Sequence, residues 1–319
     1  MKKRPLGFPC TVDKHSPNSI QKVSRMSKSK TILYLEALFA VVVWGASFIA
    51  TKVALRDVSP VTIVWLRFAM GVVILGAAVA RQGQFALPNW KEWGYFALLG
   101  FLGITFHQWL QSNGLQTSEA GATAWIVATT PVFMALLGWL TLKEGLSLAR
   151  IGGITMAFIG VLLVVSKGDL ASVSVGKFGA PGDVLILISS INWAVFSVLS
   201  RRGLKSHPAS LMMFYVMTSG WLFTSILFFT GTDPGELANL TLNGWIGIVF
   251  LGVFCSGLAY IAWYDALQSL SAAQTGSFLY IEPLVAVVVA FFVLNEAIVP
   301  ASLLGGGIIL FGVWLVNQG

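Results

Sequence analysis

Charge is scarce in this sequence: of 319 residues only 10% are Asp, Glu, Lys or Arg, against 56% hydrophobic. A surface facing water carries about 25% charged residues, so a soluble globular domain is excluded and lipid is the expected solvent. Cysteine is limited to Cys10, in a polar N-terminal stretch, and Cys255, inside an apolar run. Two such residues build neither a disulfide framework nor a thiolate metal site, and they say nothing of redox compartment. Of the three histidines only His107 lies within an apolar run. No G-x-S-x-G, H-E-x-x-H or G-x-x-x-x-G-K-[ST] occurs, so an intramembrane hydrolase, a metalloprotease and an ATP-driven pump all lack their machinery. No metal or cofactor is expected, and no enzymatic activity.

What the sequence does have is apolar length. A bilayer core about 30 Å thick needs roughly 20 apolar residues at a rise of about 1.5 Å each. Such stretches recur at 31–54, 60–80, 92–114, 118–141, 146–166, 182–201, 208–230, 243–268, 271–294 and 300–317. The expected fold is therefore an all-α integral membrane protein of ten transmembrane helices, with sequential helices antiparallel because the connections are short. Residues 1–30 differ: Lys2, Lys3, Arg4, Lys14, Lys22, Arg25, Lys28 and Lys30 face one acid, Asp13. They read as a disordered basic tail, of which residues 1–25, before Met26, are expected to play no part in the fold.

The net charge of +7 in a lipid-borne chain signals topology rather than nucleic acid. With the N-terminus cytoplasmic, the inner side holds the tail plus Arg81, Lys91, Lys143, Arg150, Arg201, Arg202 and Lys205, and the outer side only Arg56, Lys167 and Lys177. Both termini are expected in the cytoplasm, across a bacterial inner membrane.

Shifted by 152 residues the chain matches itself. Leu115-Gln116 meets Leu267-Gln268, Ala120 meets Ala272, Thr123 meets Thr275, Pro131 meets Pro283, Glu144 meets Glu296, and Gly153 and Gly160 meet Gly305 and Gly312. Earlier the shift is 148, pairing Phe48 with Phe196 and Pro60 with Pro208. Five helices is an odd number, so the second half, 182–317, enters the membrane opposite to the first, 31–166: an inverted repeat. The charges agree, because Lys143 and Arg150 flank Glu144 while Asn295 and Ser302 take those places around Glu296.

With these residues in hand the sequence resembles the drug/metabolite transporter superfamily, in its two-domain EamA-type form, over about residues 31–317. Four features carry the likeness: Trp44-Gly45-Ala46-Ser47-Phe48, Leu66-Arg67-Phe68, the paired segments Pro131 to Glu144 and Pro283 to Glu296, and the glycine-rich fifth and tenth helices. The resemblance implies a ten-helix basket with a central cavity that moves metabolites such as amino acids, often outward, without ATP.

Charge inside hydrocarbon costs several kcal/mol, so it pairs, lines water or serves a substrate. Glu282, about 11 residues past Ser271, sits roughly 16 Å into the core, beside Pro283, which removes a backbone donor and frees carbonyls. Arg67 lies roughly 12 Å and Glu282 roughly 14 Å below the outer face. Arg67 is a candidate seat for a carboxylate and Glu282 for an amine or a proton; the plainer reading has the two neutralising each other. His107, Gln108 and Gln111 cluster on the third helix, either lining a pathway or bonding between helices. Trp44, Asn192, Trp193 and Tyr280 are candidates for the cavity wall. Glu144, Glu296, Pro131 and Pro283 are expected to serve structure or gating, the two acids either pairing or turning to a neighbouring helix start.

The function expected is a secondary transporter of a small metabolite, an amino-acid-type exporter working by alternating access, with proton coupling open. Multidrug efflux or nucleotide-sugar-type exchange is the alternative inside that class, and a channel or an intramembrane enzyme the alternative outside it. Either a monomer or a homodimer fits a chain that holds both halves.

Overall fold

The computed structural model describes residues 29–142, 147–169, 179–270 and 272–318; most of the basic tail, and Glu144, lie outside the described residues. The helices are α1 (Lys30–Ala54), α2 (Pro60–Arg81), α3 (Trp90–Gly100, carried on by a π-helical stretch Phe101–Phe106 and by His107–Gly114) and α4 (Ala120–Val127 and Thr130–Leu142). Then follow α5 (Leu148–Val165), α6 (Pro181–Ser206), α7 (Ala209–Gly231) and α8 (Leu242–Val249, a π-helical stretch Phe250–Leu258, then Ala259–Ser269). The last are α9 (Ala272–Ser277, a 3-10 turn Phe278–Ile281, then Glu282–Leu294) and α10 (Pro300–Gln318).

No strand occurs among the described residues, and nine of these helices are long and apolar enough to cross a membrane. The remaining run, α3, is helical throughout but too polar for that standard. Its His107, Gln108, Gln111 and Ser112 are buried in the bundle rather than exposed to lipid, as polar groups on a spanning helix should be.

Local chemistry starts several of the helices. Ser29, Ser59, Ser147 and Thr241 each accept from the backbone amide three residues on, and Asn89 and Glu92 form a reciprocal capping box. These side chains satisfy donors that the first turn leaves without partners. Pro60 and Pro181 begin α2 and α6, where a missing N–H costs nothing.

Prolines later in a helix act differently. Pro131 offers no N–H to the Val127 carbonyl, and α4 breaks between Val127 and Thr130; the Thr130 hydroxyl takes that carbonyl at 2.7 Å. Pro283 likewise leaves the Leu279 carbonyl, which accepts from the Glu282 N–H in the 3-10 turn of α9. Val127 and Leu279 are 152 residues apart, so the two breaks fall at matching places in the two halves.

The halves interlock. The principal packings are α1 on α8 and α9, α2 on α7 and α8, α3 on α6 and α7, α4 on α6, and α5 on α10. Each joins a helix of the first half to one of the second, so neither half owns a separate core. α5 and α10 run antiparallel: Gly153 lies against the Gly312 carbonyl and Gly160 against that of Gly305. A Cβ on Gly160 would stand 2.6 Å from the Gly305 oxygen, and one on Gly305 2.7 Å from the Gly160 oxygen, so only glycine permits this backbone approach.

The bundle has two ends. At the near end, where α1 begins, Leu33 and Ala37 pack on Ala266 of α8 and on Leu270 just past its end. At the far end α1 finishes beside the turn joining α3 to α4, with Lys52 Nζ donating to the Ser118 carbonyl at 2.6 Å.

Candidate functional site

Arg67 projects from the middle of α2 and is buried. Its Nε donates to Ser256 Oγ at 3.1 Å and its Nη1 to Gln108 Oε1 at 3.0 Å. Both partners are neutral. No ion pair joins Arg67 to Glu282, and among the described residues Nη2 makes no hydrogen bond, so the guanidinium is oriented without being neutralised. A buried cation in that condition is costly, and an arriving carboxylate or phosphate would relieve it with charge-assisted bonds.

The partners of Arg67 come from helices with altered backbone. Ser256 lies inside the π-helical stretch of α8, and Gln108 follows directly on that of α3. One extra residue in a helical turn re-aims the side chains after it and leaves carbonyls available, which is why such stretches recur at functional sites. Here Trp44 Nε1 donates to the carbonyl of Cys255 at 3.2 Å, and Asn192 Nδ2 to that of Leu102 at 2.7 Å. The Asn192 amide is therefore engaged in holding the α3 backbone.

His107 points the other way along α3, its Nδ1 donating to the Ser189 carbonyl of α6 at 3.2 Å. A carbonyl only accepts, so in the neutral ring Nδ1 carries the proton and Nε2 does not. The ring lies 4.6 Å from that of Trp193, which in turn lies 4.8 Å from Phe196. Gln111, one turn on, is buried on the same helix.

On the opposite flank Trp44 packs against Tyr260 at 5.7 Å and Trp263 at 5.3 Å between ring centroids, an apolar wall built by α1 and α8. Its neighbour Gly45 lies against the carbonyl oxygen of Glu282. Glu282 opens the second piece of α9 and is partly exposed. A belt of contacts thus crosses the bundle, from the Glu282 carbonyl on Gly45, through Trp44 and Cys255-Ser256, to Arg67 and Gln108, with His107 and Trp193 beside it on α3 and α6.

Tyr280 is not brought to this belt with Trp44. Its hydroxyl accepts from Asn317 Nδ2 at 2.9 Å and its ring joins the cluster around Trp125 and Val161. Glu296 lies at the far end, where Oε1 accepts from the Ala120 N–H at 2.9 Å, Oε2 from that of Gly121 at 3.1 Å, and Lys52 Nζ stands 3.6 Å away. Pro131 and Pro283 are at the two helix breaks described above.

Sequence reasoning did not single out Ser256, Cys255 or Lys52. One signal was available for the first two: Phe101-Leu102-Gly103 and Phe250-Leu251-Gly252 are the same tripeptide, and each opens a π-helical stretch.

The pattern of the EamA-like transporter family matches this chain twice, over residues 31–166 and 180–318. The chain belongs to the EamA-like transporter family. Among the relatives of this EamA-like transporter, an uncharacterized transporter of Archaeoglobus fulgidus is 29% identical over 91% of this chain and 98% of its own length. The uncharacterized transporter YyaM of Bacillus subtilis is 26% identical over 88% and 92%. A protein of Streptantibioticus cattleyicolor named a probable terminal-alkyne amino-acid exporter is 27% identical over 92% and 95%. One crystal structure superposes with a TM-score of 0.63 over 89% of this chain and 98% of the other at 19% identity, a likeness of fold alone. Family and apolar helices together make the protein an integral membrane transporter.

Proposed function

We propose that this EamA-like transporter is a secondary carrier exporting amino acids or related carboxylate-bearing metabolites. The observation that carries this reading is Arg67, a buried cation held by the neutral Gln108 and Ser256 with no ion pair to a carboxylate among the described residues. Arg67 takes the substrate carboxylate, Glu282 its amine or a proton, and Trp44, Tyr260 and Trp263 form the apolar wall beside them. The relative named a probable terminal-alkyne amino-acid exporter supports the substrate class.

Ten spans, counting α3, cross the membrane as two inverted halves, 31–166 and 182–317, around this belt. Three observations support the inversion. Exchanging the halves leaves the set of helix packings unchanged, since α1 on α8 becomes α6 on α3 and α2 on α8 becomes α7 on α3. The helix breaks match, and α5 meets α10 glycine to glycine in antiparallel fashion. Inverted halves give two interchangeable conformations around a midplane site, which is what alternating access needs. The distribution of basic residues supports cytoplasmic termini, and the Bacillus relative a bacterial inner membrane.

The test is counterflow in proteoliposomes containing purified protein and no nucleotide, loaded in turn with each of a panel of L-amino acids. Saturable exchange of at least one is expected. Ohmic currents, or no exchange by folded protein, would overturn the reading.

A further inference from the structure

At the far end the turn between α3 and α4 is a hub of polar contacts. Lys52 donates to the Ser118 carbonyl at 2.6 Å, Thr117 Oγ1 accepts from the Gly182 N–H at 2.8 Å, and Glu296 holds the first two amides of α4. At the near end the counterpart of this region, 152 residues on, includes Leu267. There Leu267 borders a cavity of about 390 Å³ shared with Leu204, His207 and Pro208. His207, which lines that cavity, also stands 3.3 Å from a carboxylate oxygen of Glu92, and Glu144, the counterpart of Glu296, lies outside the described residues.

We infer that Glu296 and Lys52 form the far-side gate of the carrier, and that the Glu282–Leu294 piece of α9 links this gate to the substrate site. That piece bears a carboxylate at its start, Glu282, on the belt. Beyond its end Asn295 takes a left-handed conformation, φ 56°, which turns the chain so that Glu296 meets the start of α4. A single helix therefore runs from Glu282 to within two residues of Glu296. α1 runs alongside it: Gly45 touches the Glu282 carbonyl, Phe48 and Ile49 pack on Ala286 and Ala290, and Lys52 meets Glu296.

Far-side opening requires Glu296 to leave two amides at a helix N-terminus and one ammonium, all of which favour a carboxylate. The gate accordingly holds until the Glu282 end of the lever shifts. Lys52 and Glu296 are positioning residues; neither touches the belt.

This inference rests on the alternating-access reading above, and its test is made without substrate so that the two can fail separately. A single reporter, Ser47→Cys on α1 between belt and gate, is placed in a Cys10→Ser, Cys255→Ala background in membranes. A membrane-impermeant maleimide is applied to the face opposite the termini. Glu296→Ala is expected to raise the labelling rate about tenfold, the size of shift produced when charge-assisted contacts are removed from one of two states. Lys52→Met, which keeps the helix cap, is expected to raise it less. Exchanging the pair, Lys52→Glu with Glu296→Lys, is expected not to restore the low rate, because a lysine cannot accept from the α4 amides. Unchanged labelling in Glu296→Ala and in Lys52→Met would overturn the inference, as would restoration by the exchange. Counterflow by the same variants reports separately on the carrier reading.

Discussion

Gly45 of α1 lies against the carbonyl oxygen of Glu282, where an added Cβ would stand 2.6 Å from that oxygen and 3.0 Å from the Val285 Cβ. Two backbones meet at the very residue where α9 resumes after its break. The contact sets the position of Trp44 on one side and of Glu282 on the other.

Substitution at this contact should therefore move both. Gly45→Ala is expected to destabilise the protein by about 1–3 kcal/mol, the usual cost of overpacking, although alanine for glycine elsewhere in a helix stabilises it. A thermal-shift measurement in detergent checks this, and an unchanged or raised midpoint would contradict the contact.

Gln108→Leu and Ser256→Ala each remove one hydrogen bond from a buried guanidinium. A bond to a charged group is worth about 1.5–3 kcal/mol, so either change is expected to raise the half-saturating substrate concentration by about tenfold or more. Maximal exchange should change less, because the charge itself remains. The pair of values from counterflow at graded substrate separates the two.

Pro283→Ala gives α9 an extra N–H near Leu279, whose carbonyl already accepts from Glu282. Removing a proline from within a helix favours the regular helical form, so we expect the protein to be as stable as before or more so, yet slower in exchange. Pro131→Ala should behave alike if the two breaks are equivalent. Loss of stability in both would show that the breaks serve packing only.

Gly160→Leu forces a side chain into the 2.6 Å approach between α5 and α10. The expected outcome is loss of folded protein on size exclusion, whereas Gly307→Leu, with open space around its Cα, is expected to be tolerated.

Much of the architecture was legible from hydropathy and self-alignment. The spans read as 60–80 and 300–317 are the helices Pro60–Arg81 and Pro300–Gln318, because apolar length and capping residues are local properties. Arg67 and Glu282 stood out for the same reason, as charges in apolar runs. What surrounds Arg67 was not legible: Gln108 and Ser256 are 41 and 189 residues away along the chain, and periodicity carries no information about which helices meet. The π-helical stretches were missed because hydropathy does not distinguish a turn with one extra residue. The pairing of Arg67 with Glu282 in one site, and the alternative that the two neutralise each other, both came from depth alone, and depth says nothing of lateral distance.

The most direct test of the account concerns what Arg67 recognises. Counterflow of the best-exchanged L-amino acid is measured in competition with its decarboxylated amine, in the native protein and in Arg67→Gln, with Glu282→Gln run at several pH values alongside. The account predicts that the native protein ignores the amine and that Arg67→Gln loses exchange of the amino acid. It also predicts that Glu282→Gln loses either the requirement for the amino group or the dependence on pH. Undiminished exchange by folded Arg67→Gln, with the carboxylate still required, would contradict it.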